Sequence, residues 1–312
     1  MIPLAEIERA RERIRGAAVR TPLVRLPDTD IWLKLENLQP VGSFKIRGAT
    51  NAIRAASPDE LAGGVVTASA GNMAQGVAWA AREAGVPATI VVPDHAPQTK
   101  LDAIERLGGR VIKVPFERWW QTIVESRFEG VEGRFVHPVE DELVMAGNGT
   151  IGLELVEDLP DVDTVLVPFG GGGLATGIAS AVKALRPEAR VYGVDPETGP
   201  ALSTAFAQDG PAPVEHVPSF VDGSGSRGVL ESMWPYVSTA LDGAYVASLE
   251  ETADAVRLLA ERVRVIAEGA GALALAVGRS GRAGVGRIAC IVSGGNIDAA
   301  VLSRILAGET PR

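Results

Sequence analysis

Residues 164–185 read TVLVPFGGGGLATGIASAVKAL, an apolar run, then four glycines, then apolar residues at helical spacing. The short β-branched run Thr164 to Phe169 is a buried strand, and the longer periodic stretch Leu174 to Leu185 is a helix. Gly170 to Gly173 therefore stand where a strand gives way to a helix, with bare backbone N–H groups at the positive end of the helix dipole. Four consecutive glycines are costly in backbone entropy unless the chain needs their freedom, so the junction is read as a phosphate cradle.

The same alternation runs outward on both sides. Val65 to Ser69, Ala88 to Pro93 and Arg110 to Pro115 are strands, separated by helices from Asn72 to Ala84 and Pro97 to Leu107. Beyond the glycines come a strand from Arg190 to Asp195, a helix near Glu250 to Val265 and a strand from Arg287 to Val292. Strands apolar on both faces and joined by helices belong to parallel sheets covered on both sides. The expected class is α/β, as two open parallel-sheet domains. Residues 1–58 and 147–312 form the large one and residues 59–146 a small, mobile one. The turn-rich stretch Asp209 to Gly228, around Asp222, is too long for a plain connection and is read as a functional loop.

Composition narrows the function. The 312 residues are 46% hydrophobic and 22% charged, an ordinary globular balance, and the net charge of −9 repels nucleic-acid backbones. No stretch is apolar enough to span a membrane. Glu6, Glu8 and Glu12 interrupt the first helix, which is neither a signal peptide nor a transit peptide. One cysteine, Cys290, sits in an apolar run and reads as a buried small hydrophobe, consistent with a cytoplasmic protein. His95, His137 and His216 show no metal-ligand spacing, so no metal is expected. Trp119 and Trp120 are packing or rim residues, and Gly278 to Arg287 lacks the lysine and hydroxyl of a P-loop and is a turn.

Three further segments carry chemistry. Ser43 to Gly48 (SFKIRG) place Lys45 beside Phe44, where a desolvated amine can form a Schiff base; a solvated lysine at a helix start is the plainer alternative. Ser69 to Gly76 (SAGNMAQG) run from a strand into a helix and expose N–H groups suited to a carboxylate, or else form an ordinary capped helix. Val292 to Asp298 deliver the Ser293 hydroxyl to a strand's carboxyl end, where open α/β sheets bind ligands. Gly170, Gly172 and Ala175 also satisfy a dinucleotide fingerprint, with Asp195 where a ribose-binding acid belongs. A nicotinamide or flavin oxidoreductase therefore stays open, as does a non-catalytic small-molecule sensor.

In this order, and together with Thr21-Pro22-Leu23, Lys34 to Gln39 and Ala146 to Thr150, these segments resemble the threonine dehydratase and serine racemase family of fold type II pyridoxal-phosphate enzymes. The resemblance covers nearly the whole chain. It implies that the cofactor lies in the cleft between the two domains, with Lys45 holding it as a Schiff base and Phe44 beside the ring. Asn72 would meet the 3′ oxygen, Gly170, Gly171, Gly172, Gly173 and Leu174 the phosphate, and Ser293 the ring nitrogen. Ser69, Ala70, Gly71, Asn72 and Met73 would take the substrate carboxylate, and the Lys45 amine would remove the α-proton. The implied activity is loss of water and ammonia from a β-hydroxy amino acid such as L-threonine or L-serine, in a homodimer or higher homo-oligomer. A β-replacement synthase and an amino-acid racemase are the neighbouring alternatives.

This chain departs from the pattern at four points. Met73 stands where dehydratases usually have histidine, and Asn148 where glutamine is usual. Asp195 fits the first acid of a divalent-cation site, but the second position is Ala201, so that site is expected to be absent or altered. The chain ends at Arg312 without the regulatory domain of biosynthetic threonine dehydratases, so control through such a domain is not expected. Racemases of the family place a serine directly before Gly-Asn; Ala70 stands here, and Ser69, one position earlier, is expected to point to the other side.

Overall fold

The computed structural model describes residues 1–312. Ten strands fall in two sheets: β1 (Leu23–Arg25), β2 (Ile31–Leu35), β3 (Val65–Ala68), β4 (Ala88–Pro93), β5 (Gly109–Val114), β6 (Arg134–Phe135), β7 (Thr164–Pro168), β8 (Arg190–Pro196), β9 (Gly243–Ala247) and β10 (Ile288–Val292). The larger sheet has the order β1-β2-β10-β7-β8-β9 and the smaller β5-β4-β3-β6. Every pairing is parallel except at one edge, where the short β1 runs antiparallel to β2, with Leu23 opposite Lys34.

Helices cover both faces of each sheet. They are α1 (Leu4–Arg13), α2 (Lys45–Ala55), α3 (Asn72–Ala84), α4 (Gln98–Arg106), α5 (Phe116–Glu125), α6 (Glu142–Asp158), α7 (Gly173–Leu185), α8 (Ala201–Gln208), α9 (Trp234–Ala240), α10 (Leu249–Leu258), α11 (Gly269–Arg279) and α12 (Ala299–Leu306). The strand residues divide with period two between the layers. Val165 and Val167 of β7 enter a core shared with α6 and α7, while Leu166 enters the opposite core with α10 and α11. In the smaller sheet Val65 faces α2 and α3, and Val66 and Ala68 face α5.

Two elements do not respect the domain bounds expected from sequence. Helix α6 runs through residues 146 and 147 without a break. Helix α2, which precedes residue 58, buries Ala49, Ala52 and Ile53 in the core of the smaller sheet.

Candidate active site

The carboxyl end of β10 and the start of α2 are tied together. The Phe44 N–H donates to the Ser293 carbonyl at 3.0 Å, and Ser43 and Gly294 form an isolated antiparallel bridge. Lys45 is the first residue of α2; its Nζ lies 5.0 Å from the centre of the Phe44 ring and 3.4 Å from the Pro138 carbonyl oxygen. Burial lowers its amine to about 8, and the nearby Glu268 carboxylate pulls the other way.

Lys45 opens into a cavity of about 540 Å³ between the two sheets, a volume suited to a cofactor with a small substrate. Phe44, Ser69 to Met73, Gly170 to Leu174 and Ser293 border the same cavity, so the residues that the resemblance assigns to cofactor and substrate converge on one place. At the start of α7, the backbone N–H groups of Gly170 to Ala175 have no acceptor within the protein. Gly172 has φ +100°, and a Cβ on Gly171 would collide with the Val139 side chain. At the start of α3, the N–H groups of Ala70, Asn72, Met73 and Ala74 are likewise unpaired. One cavity thus holds an amine and two arrays of free donors, a chemistry that fits a phosphorylated aldehyde and a carboxylate.

Of the residues singled out from sequence, Ser69 and Asp195 lie differently from expectation. Ser69 borders the cavity alongside Ala70, and its hydroxyl accepts the Gly71 N–H at 3.2 Å. The Met73 side chain is buried in the core of the smaller sheet, which leaves its main chain for the cavity. Asp195 is fully buried and does not border the cavity; its Oδ2 caps α8 through the Ser203 N–H at 2.7 Å. Burial pushes that carboxyl up to about 6; buried, off the cavity wall and bonded to α8, it gives no support to a dinucleotide reading. No three His, Cys, Asp or Glu side chains gather as a cation site. Trp119 lines the cavity, whereas Trp120 is exposed.

Sequence reasoning missed Glu268, Lys100 and the wall made by Pro138 and Val139. His137 builds that wall, its Nδ1 accepting the N–H groups of Val139 at 3.1 Å and Glu140 at 2.8 Å. A buried charge cluster beneath the site was also missed. Arg47 and Lys34 meet Glu36 and Glu154, with Arg47 Nε 2.8 Å from Glu36 and Lys34 Nζ 2.6 Å from Glu154. Burial alone would push Glu36 up, but the Arg47 guanidinium holds it below the usual carboxylate range. The available signal was a lone charge inside an apolar run, as at Lys34 in β2 and Glu154 in α6.

The sequence model of the family described as "Pyridoxal-phosphate dependent enzyme" matches residues 14–294. The chain belongs to this family. Among members, it is 41% identical to an L-threonine ammonia-lyase of Thermotoga maritima, over 98% of this chain and 78% of that protein. Among solved structures, maize serine racemase matches with a TM-score of 0.88 at 32% identity, covering 98% of this chain and 97% of that one. A serine racemase from Dictyostelium discoideum matches with 0.86 at 30% identity, covering 95% and 99%. Membership makes pyridoxal phosphate the cofactor, and the lysine and donor arrays described above suit its aldehyde and phosphate.

Proposed function

We propose that the chain is an ammonia-lyase that converts a β-hydroxy amino acid, L-threonine or L-serine first, to a 2-oxo acid and ammonia. The observation that carries this is the single cavity in which the Lys45 amine faces two separate sets of unpaired backbone donors. Gly170 to Leu174 would hold the cofactor phosphate, Phe44 the ring face, Asn72 the 3′ oxygen and Ser293 the ring nitrogen. When bound, pyridoxal phosphate supplies an electron sink conjugated to the substrate α-carbon.

The rest falls to this chain. The substrate carboxylate rests on the free N–H groups of Ala70, Asn72 and Met73 at the positive end of α3. Lys45, whose amine burial brings to about 8, takes the α-proton as general base. Ser293 is a neutral donor and adds no negative charge beside the ring, which favours prompt loss of the β-substituent over a long-lived carbanion. Racemisation needs a second proton donor on the opposite face. Ala70 has none, which disfavours racemisation; the Ser69 hydroxyl accepts the Gly71 N–H and keeps its own hydrogen, so it is the group that the chirality measurement below tests. Within this reading the domain built on the smaller sheet, with α2 packed on it, moves against the larger one, and the protein works in the cytoplasm as a homodimer or larger assembly.

Incubation with L-threonine and L-serine, following 2-oxo acid and chirality together, tests the reading. Release of 2-oxobutanoate and pyruvate with little D-serine is expected. D-serine at a rate comparable to pyruvate, or turnover only with sulfide and an activated serine, would replace it with a racemase or a synthase.

A further inference from the structure

Glu268 stands at the head of α11, borders the cavity and is only 5% exposed. Its main-chain N–H donates to the Gly294 carbonyl at 3.0 Å, which anchors it to the loop after β10. Its Oε1 accepts the Asn72 side-chain N–H at 2.7 Å. The other end of that amide is also held, since Asn296 Nδ2 donates to Asn72 Oδ1 at 2.8 Å and to the Val41 carbonyl at 2.9 Å.

These contacts determine the amide's orientation. Both hydrogens of Asn296 Nδ2 are used, one on a carbonyl that can only accept, so the Asn72 atom it meets must be the oxygen. The Asn72 nitrogen therefore points to Glu268 and keeps one hydrogen for the cavity. Gly294 permits the approach: a Cβ there would collide with the Glu268 carboxylate and stand 3.2 Å from Asn72 Nδ2. Asn72 begins α3 beside the smaller sheet, whereas Glu268 and Asn296 belong to segments packed on the larger one.

We propose that Glu268 is a positioning residue, whose carboxylate fixes the Asn72 amide toward the cofactor and registers α3 against the larger sheet. The inference deepens the reading above and rests on it for the cofactor. The groups facing Glu268 are Asn72, Asp222, Lys100 and Lys45; burial and Asp222 push its carboxyl up to about 7, while the Asn72 bond pulls it down.

Two conservative variants separate a hydrogen-bonding role from a charge role. Glu268→Gln keeps an acceptor at the same reach without the charge. Glu268→Asp keeps the charge but withdraws it by one methylene. Pyridoxal phosphate affinity and the visible absorption of the lysine adduct are measured before any substrate is added. Glu268→Asp is expected to bind the cofactor on the order of tenfold more weakly, and Glu268→Gln within about threefold of the unsubstituted protein. Unchanged affinity in Glu268→Asp, or equal loss in both variants, would overturn the assignment. A protein that binds the cofactor with this pattern yet releases no 2-oxo acid would refute the activity and leave the role of Glu268 standing.

Discussion

Lys45 sits where an ammonium is costly. Its ordinary value of 10.5 falls to about 8 in the fold, which corresponds to about 3 kcal/mol of disfavoured charge at neutral pH. Between about pH 8 and 10.5 the folded chain binds fewer protons than the unfolded one, so stability rises with pH through that window. Lys45→Met is therefore expected to raise the melting temperature of the cofactor-free protein by about 4 °C at pH 7. The gain fades as pH climbs toward 10.5; an equal gain at still higher pH would trace it to packing instead. Lys45 is legible in the sequence only through the ordered set of segments that carries the family resemblance, since Ser43 to Gly48 alone fit a solvated lysine at a helix start. Glu268 was not, because its partner Asn72 lies 196 positions away and a single glutamate before a Gly/Ala helix carries no local mark. Arg47 and Glu36 lie in segments quoted from the sequence, but nothing local marks that the two are buried against each other.

At the level of elements, the start of α7 makes the sharpest demand on side-chain size. Gly171→Ala would drive a methyl group into Val139, the residue that walls the cavity, whereas a Cβ on Gly170 would meet nothing closer than 3.4 Å and needs no positive φ. Gly171→Ala is expected to cost about 1–3 kcal/mol in chemical denaturation and to weaken cofactor binding at least about tenfold. Gly170→Ala should change both little; equal effects from the two would show that the wall at Val139 yields. The helix bounds also show what sequence can reveal. Helix α3 was read residue for residue because a capping turn and an αL glycine, Gly85, mark its ends. Helix α6, 17 residues long, went unread. Residues 144–155 are all buried, so it lacks the polar stripe that produces a helical period.

Across the whole molecule, Lys100 on α4 and Asp222 in the long loop after α8 pair at 2.5 Å across the mouth of the cavity. Their side chains are 34% and 53% exposed, so the pair contributes at most about 1 kcal/mol and is screened by salt. Asp222→Asn is expected to raise KM for the amino acid a few-fold at low ionic strength, with the difference shrinking at high salt. A difference independent of salt would mean that Asp222 touches substrate directly. The long loop was foreseen from its length, but its partner was not, since nothing in either segment names the other. The order of the strands has its own consequence for synthesis. All four strands of the smaller sheet lie between residues 65 and 135, so they can pair while the ribosome is still making the rest. The larger sheet cannot close that early, because β10 lies between β2 and β7 and is the last strand made. Until residues 288–292 emerge, β2 and β7 each present a bare edge to solvent and to other nascent chains. The same final strand brings Ser293 and the tether to Phe44, so a nascent chain acquires its sheet and its cofactor site in one late event.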